Sequence, residues 1–263
     1  MILQYLNTNT RLRSSMEFPV EILDRIFSAL KSNPLSLYNC SNACPMFSHI
    51  VERYIYYHII IPSRLTQSDC RSGYRLGSSH IVKLLSEAPH IVDYVRILEF
   101  SFEGRLSHLQ EIAPILSKFH ALQCIILPVS HYMSWQRLEF QCFKTAVDFG
   151  LPALQEVHVG DMAFPLSILN GHSNITRLAL SRCNGSLDGT DSPFPQLESL
   201  FADGCYWNCL KKWGKHHFAK LQSLTHGYST EDFSKFVGIC SDSLEDLDVN
   251  MCSTSPCQFP FHF

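Results

Sequence analysis

No run of the sequence approaches 18 consecutive apolar residues, so no segment reads as a membrane-spanning helix and no membrane partner is expected. Met1 to Ser15 is polar and lacks the apolar core of a signal peptide, which points to an intracellular chain, cytoplasmic or nuclear. Charge is scarce, at 17% of residues, and nearly balanced: 21 basic against 24 acidic side chains leave a net charge of −3 with no long basic block. That composition offers no electrostatic basis for holding a polyanion, so nucleic acid is not expected as a partner. Motifs that carry chemistry are also missing. There is no G-x-x-x-x-G-K-[ST] or G-x-G-x-x-G to cradle phosphates, and no H-E-x-x-H. The string nearest to a nucleophile elbow, Gly171-His172-Ser173-Asn174, lacks the second glycine that lets an exposed serine sit on a strained turn. No catalytic residue and no cofactor is expected, and the chain does not read as an enzyme.

What is present is apolar material: 46% of 263 residues, enough for a real core and for one elongated or two compact domains. Eleven cysteines is an odd number, and most stand singly where a small apolar residue would fit, as at Cys124, Cys142 and Cys183. They read as reduced, buried thiols, and the sequons at Asn174 and Asn184 then carry nothing in an unexported chain. Cys205-x-x-x-Cys209 with His216-His217 offers four zinc-type ligands within 13 residues. The spacing is loose, however, and two cysteines on one helical face under a sheet explain it as well. Cys40-x-x-x-Cys44 and Cys252-x-x-x-x-Cys257, the latter near His262, are no better as ligand sets, so no metal is expected. The 13 histidines are scattered without acid-base spacing.

The first structured piece begins at Phe18-Pro19, where proline suits the first turn of a helix. Val20, Leu23, Ile26, Phe27 and Leu30 follow as one apolar helical stripe, with Glu21, Asp24, Arg25 and Ser28 on the other side. Asn33-Pro34 repeats the start signal for a second short helix carrying Leu35, Leu37, Tyr38 and Cys40. Cys44-Pro45 opens a third, with Phe47, Ile50, Val51 and Tyr54 on one face, and Tyr56 to Ile61 is β-branched and aromatic enough for a strand. Three short helices make a unit too small to bury all its apolar surface. The excess must meet a partner or pack on the rest of the chain.

Phe18-Pro19-Val20-Glu21-Ile22-Leu23 with Ile26-Phe27-Ser28-Ala29-Leu30, then Leu35, Ala43-Cys44 and Phe47, resembles an F-box over residues 16–61. Phe18 stands for the family's usual leucine, Ala43 for valine and Phe47 for tryptophan, all apolar exchanges. Pro45 is less usual and tolerable only if it opens its helix. The resemblance implies docking on a Skp-type adaptor and, through it, on a cullin of a ubiquitin ligase. It assigns the adaptor contacts to Phe18, Pro19, Ile22, Ile26, Phe27, Leu30, Leu35 and Phe47.

Residues 62–91 read as a connector, rich in Ser, Arg and Gly, with a short apolar helix over Ile81 to Ser86. Beyond it, leucine-like residues recur at positions one, four and six of a short run. The run appears as Val95-x-x-Leu98-x-Phe100, Leu122-x-x-Ile125-x-Leu127, Leu154-x-x-Val157-x-Val159 and Ile175-x-x-Leu178-x-Leu180. Leu197-x-x-Leu200-x-Ala202, Leu221-x-x-Leu224-x-His226 and Leu244-x-x-Leu247-x-Val249 complete seven. Their starts lie 27, 32, 21, 22, 24 and 23 residues apart, around the spacing of leucine-rich repeats with one long unit. Each unit predicts a short strand and, in several, a return helix, as over Leu109 to Phe119, Trp135 to Phe149 and Glu231 to Cys240. No unit can bury its own apolar face, so neighbours must stack into a curved solenoid of parallel strands over 92–263. The competing reading is an ordinary α/β domain with a parallel sheet. Gln258 to Phe263 ends on aromatics that either fold back over the last layer or mark a truncated product.

The combined expectation is an α+β chain: a three-helix F-box followed by an irregular leucine-rich-repeat α/β solenoid. Positions three, five and seven of each unit should point outward on the concave sheet face. They give Glu156 and His158, Arg177 and Ser181, Phe201 and Asp203, Thr225, and Asp246 and Asp248 as contacts for a target protein of unknown identity. Lys211, Lys212, Lys215 and Lys220 precede an acidic stretch of Glu231, Asp232, Asp242, Glu245, Asp246 and Asp248. That asymmetry is either an ordinary solvated surface or a bipolar docking surface. The alternative function is a non-catalytic repeat scaffold that binds a protein with no ligase association.

Overall fold

A computed structural model of the chain describes residues 19–62, 73–101, 114–127, 151–160, 169, 171–183, 196–203, 218–226, 237–238 and 240–249. Helices α1 (Val20–Ala29), α2 (Pro34–Ala43) and α3 (Pro45–Ile55) form where the proline signals put them. Pro34 and Pro45 both open their helices, and the Asn33 side chain caps α2 by accepting from the Ser36 N–H at 3.1 Å. Leu23, Phe27, Leu37, Val51 and Ile55 close a small core between the three. Phe27 meets Phe47 edge-on, with ring centroids 5.6 Å apart. On the rim of that core the Asp24 carboxylate takes both the Arg53 guanidinium and the Tyr54 hydroxyl, tying α1 to α3. Burial, reinforced by the hydrogen bond to Asp24, pushes the Tyr54 phenol up to about 12, so it remains a donor.

Among the described residues nine strands form one open, parallel sheet. They are β1 (His58–Pro62), β2 (Tyr74–Arg75), β3 (Ile97–Ser101), β4 (Cys124–Leu127), β5 (Glu156–Gly160), β6 (Arg177–Ser181), β7 (Ser199–Asp203), β8 (Ser223–His226) and β9 (Asp246–Val249). The order is β2-β1-β3-β4-β5-β6-β7-β8-β9, so from β3 onward each strand lies beside the next in sequence.

The seven sequence units share one register. Position four runs straight across the sheet as Leu98, Ile125, Val157, Leu178, Leu200, Leu224 and Leu247. Position six continues in step from Leu127 through Val159, Leu180, Ala202 and His226 to Val249. Position one supplies Val95, Leu122, Leu154, Ile175, Leu197 and Leu221 to the same continuous core. Helix α4 (Ser78–Glu87) adds Ile81 and Leu85 to it, and a short 3-10 turn over Pro89–Asp93 adds Ile91.

The backbone repeats a device that the side-chain pattern did not announce. The carbonyl at position two of each unit accepts both the position-two and position-three N–H groups of the next. Arg96 does so for Gln123 and Cys124, Gln123 for Gln155 and Glu156, and Gln155 for Thr176 and Arg177. Thr176 does so for Glu198 and Ser199, Glu198 for Gln222 and Ser223, and Gln222 for Glu245 and Asp246, all within 2.7–3.1 Å. Tyr57 does the same for Arg96 and Ile97, both at 3.0 Å. This makes Tyr56-x-x-Ile59-x-Ile61 an eighth unit in phase. The strand read as the end of the helical module therefore belongs to the sheet as well, with Ile59 beside Leu98 and Ile61 beside Phe100. The stretch read as plain connector contributes β2, which lies along β1.

One expectation of burial fails. Leu247, at position four of the last unit, is 44% exposed, because β9 has a described neighbour on one side only. Of the return helices, residues 114–116 and the described part of 237–240 are helical, 117–118 form a turn where the helix was expected to continue to Phe119, and the remainder, including Trp135 to Phe149, lies outside the described residues. The same is true of the aromatic tail at Phe259 to Phe263. No helix among the described residues is long and apolar enough to cross a membrane.

Candidate functional site

Two surfaces collect the residues singled out from the sequence. The first is the outer face of α1 and α2. Helical geometry divides the apolar stripe: Leu23 and Phe27 turn inward, while Val20, Ile22 and Ile26 stand 58%, 46% and 46% exposed. On α2, Leu37 is buried whereas Leu35 is 69% exposed, with Tyr38 also exposed. Pro19 is exposed at the start of α1. Phe27 and Phe47, also assigned as partner contacts, lie deeper in the module. Phe27 is 2% exposed and stacks on half-buried Phe47 inside the module, so these rings brace the face from behind. Leu30 is half-buried against the same core. Phe18 lies outside the described residues.

The second surface is a groove of about 490 Å³ along the sheet face opposite the main core. Strand alternation and the shared register build it mainly from two rows, whose first members His58, Ile60 and Glu99 fall outside its lining. Position three runs His58, Ile97, Cys124, Glu156, Arg177, Ser199, Ser223, Asp246. Position five runs Ile60, Glu99, Ile126, His158, Ala179, Phe201, Thr225, Asp248. The groove thus brings together Glu156, His158, Arg177, Phe201, Thr225, Asp246 and Asp248, as expected of one face. It omits Ser181, which is 2% exposed, and half-buried Asp203. Both are position-seven residues, at the strand ends, beyond the groove lining.

Along its length the groove changes character. Ile97, Cys124 and Ile126 form a buried apolar patch with Tyr57 packed against it. The Lys31 ammonium lies 5.4 Å over the Tyr57 ring at this end. Glu156, His158 and Arg177 make a polar middle, hydroxyls and Phe201 follow, and Asp246 and Asp248 stand exposed at the far end. Of the four lysines noted in the sequence only Lys220 is described, and it is exposed. The groove is therefore acidic at one end, where a cationic segment of a ligand would be steered.

The polar middle is tightly connected. Glu156 accepts from the Arg177 guanidinium at 3.1 Å and its other oxygen meets the His158 imidazole. Burial alone would raise the Glu156 pKa, but the His158 hydrogen bond and charge together with Arg177 outweigh it and hold the carboxyl below its ordinary value. Cys124 faces Glu156 across the β4–β5 pair, and burial with that carboxylate pushes its thiol well up. Sγ, carboxylate oxygen and imidazole nitrogen of Cys124, Glu156 and His158 lie within 4.8 Å of one another. Linear spacing could not show this set, since its members are up to 34 residues apart in sequence. The usable signal was the phase: positions three and five of the second and third units already name all three. The sets around Cys205, Cys209, His216 and His217, and around Cys252, Cys257 and His262, lie outside the described residues. Cys40, Cys44, Cys124 and Cys240 are free thiols, and the Cys183 thiol donates to the Val159 carbonyl at 3.3 Å.

No protein-family model matches the chain, and no curated protein matches it.

Proposed function

We propose that this chain is the substrate-receptor subunit of a cullin-type ubiquitin ligase, an F-box module on a leucine-rich-repeat α/β solenoid. The module docks on a Skp-type adaptor, and the repeat groove holds the target protein. The observation that carries the reading is the split stripe on α1 and α2. Leu23, Phe27 and Leu37 turn into the small core with Val51 and Ile55, while Ile22, Ile26 and Leu35 remain 46%, 46% and 69% exposed. Exposed apolar side chains on the outer sides of two helices in a module this small fit a protein contact. They coincide with residues through which F-boxes meet their adaptor. The sequential parallel strands with one register favour a stacked repeat, and its groove has the mixed apolar, aromatic and charged lining of a protein-binding surface.

The chain needs no catalytic residue for this role. Holding a target lysine near a charged ubiquitin carrier turns an encounter in solution into one at high effective concentration. Affinity purification from the native cell, read by mass spectrometry, tests the assignment. Adaptor and cullin should accompany the wild-type chain and be lost together from an Ile26→Asp/Leu35→Asp variant that still captures its other partners. Recovery of other partners with no adaptor or cullin from the wild-type chain would leave a repeat scaffold without ligase association.

A further inference from the structure

Cys124, Glu156 and His158 converge on the groove floor from two adjacent strands, and we propose that they bind a single Zn²⁺ ion with its fourth position open to the groove. The inference stands on the geometry of β4 and β5 and does not depend on the ligase reading.

The backbone preorganises the set. Cys124 and Glu156 are direct cross-strand neighbours, and His158 follows Glu156 by two residues on the same face. Their spacing is set by ladder hydrogen bonds and not by a loop. Cys124 and His158 are 7% and 6% exposed, so neither ligand has much freedom to lose on binding.

The donor types select the metal. One thiolate, one imidazole and one carboxylate suit zinc, whereas calcium and magnesium require mostly oxygen. Zinc bonds of about 2.3 Å to sulfur and about 2.0–2.1 Å to nitrogen and oxygen imply tetrahedral edges of roughly 3.3–3.7 Å. The ligand atoms already lie within 4.8 Å of one another, so the set closes with side-chain shifts of about 1 Å.

Glu156 is divided in the way a metal-bound carboxylate is. Its Oε2 takes the Arg177 guanidinium at 3.1 Å, while Oε1 is turned to Nε2 of His158. The oxygen and nitrogen that meet are the pair an ion would bridge, and Arg177 serves as the outer group that orients the ligand. On coordination the Cys124 proton leaves for solvent and the ion is held as a thiolate complex. Three protein ligands leave one position for water in the free chain, or for a donor side chain of whatever the groove binds.

The test uses the full-length, reduced chain with Co²⁺ and Zn²⁺ as probes. One equivalent of Co²⁺ should bind with a thiolate charge-transfer band and four-coordinate visible bands. Cys124→Ala should abolish the charge-transfer band, and His158→Ala should abolish stoichiometric binding, with circular dichroism showing both variants folded. Cys205→Ser should leave the spectrum intact, and Arg177→Gln should weaken zinc binding about 10- to 100-fold. X-ray absorption on zinc-loaded wild-type chain needs no variant and should show one sulfur at about 2.3 Å with the remaining ligands N or O at about 2.0 Å. Failure of the wild-type chain to hold a stoichiometric ion would overturn the proposal. So would a two-sulfur shell, or a charge-transfer band that survives Cys124→Ala and vanishes in Cys205→Ser.

Discussion

His226 occupies position six of its strand, a place the neighbouring units fill with Ala202 and Val249, and it is 1% exposed. Its Nδ1–H donates to the Ala202 carbonyl at 2.9 Å, which fits a neutral ring with the proton on Nδ1. Burial lowers its pKa from 6.5, outweighing the Ala202 carbonyl and Asp203, which act to raise it. The unfolded chain then binds the proton more readily than the folded one. Stability is complete above the unfolded value of 6.5 and declines as pH falls through it toward the lower folded value. Thermal melts of wild type and His226→Val should show a gap that shifts in the variant's favour between about pH 8 and about pH 5. A gap independent of pH would mean that His226 does not titrate in this way. Gly73 makes a second test at this scale. A Cβ there would lie 2.6 Å from Cδ1 and 2.8 Å from Cγ1 of Ile60, which is itself 2% exposed and unable to move aside freely. Gly73→Ala should destabilise the β1–β2 edge by about 1–3 kcal/mol, as overpacking does. Gly238→Ala, where nothing among the described residues stands within 4 Å, should not, and equal melting temperatures for the two variants would contradict the packing argument.

At the scale of elements, the groove rows predict how the sheet face is used. Phe201 is half-buried in the position-five row between Ala179 and Thr225, a large aromatic on a face otherwise short of them. Phe201→Ala, compared with Arg177→Glu in proximity labelling, should deplete the same captured proteins and leave the melting temperature unchanged. A lowered melting temperature with the captured set intact would make Phe201 a structural residue. These rows also show what could be read in the chain. Seven strands were legible because positions one, four and six repeat with apolar residues in one phase, and three helices because proline marks their starts. The eighth unit escaped for two reasons: Tyr56 takes the place of an aliphatic residue, and 39 residues separate it from Val95. Strand β2 escaped because two residues, Tyr74 and Arg75, carry no periodicity. On α1 the sequence pattern shows the stripe as one block, and only geometry separates buried Phe27 from exposed Ile26. The Cys124, Glu156 and His158 set needed register, which pairs residues that the sequence holds far apart.

In the whole molecule, a helical module with exposed apolar side chains leads into a sheet whose first strand follows its third helix directly. Tyr56 packs against both cores, so the module and the sheet share a boundary residue and are not joined by a free linker there. A rigid link of this kind would hold the groove at a fixed distance from whatever the module docks on, which a proximity mechanism requires. The most direct test is binding of the purified chain to the Skp-type adaptor of its own cell, measured by titration calorimetry and by native mass. The account predicts a one-to-one complex with wild type, and none with Ile26→Asp/Leu35→Asp, a variant whose melting temperature stays near wild type because both side chains are exposed. Absence of a complex with the wild-type chain, or equal affinity for the variant, would contradict it.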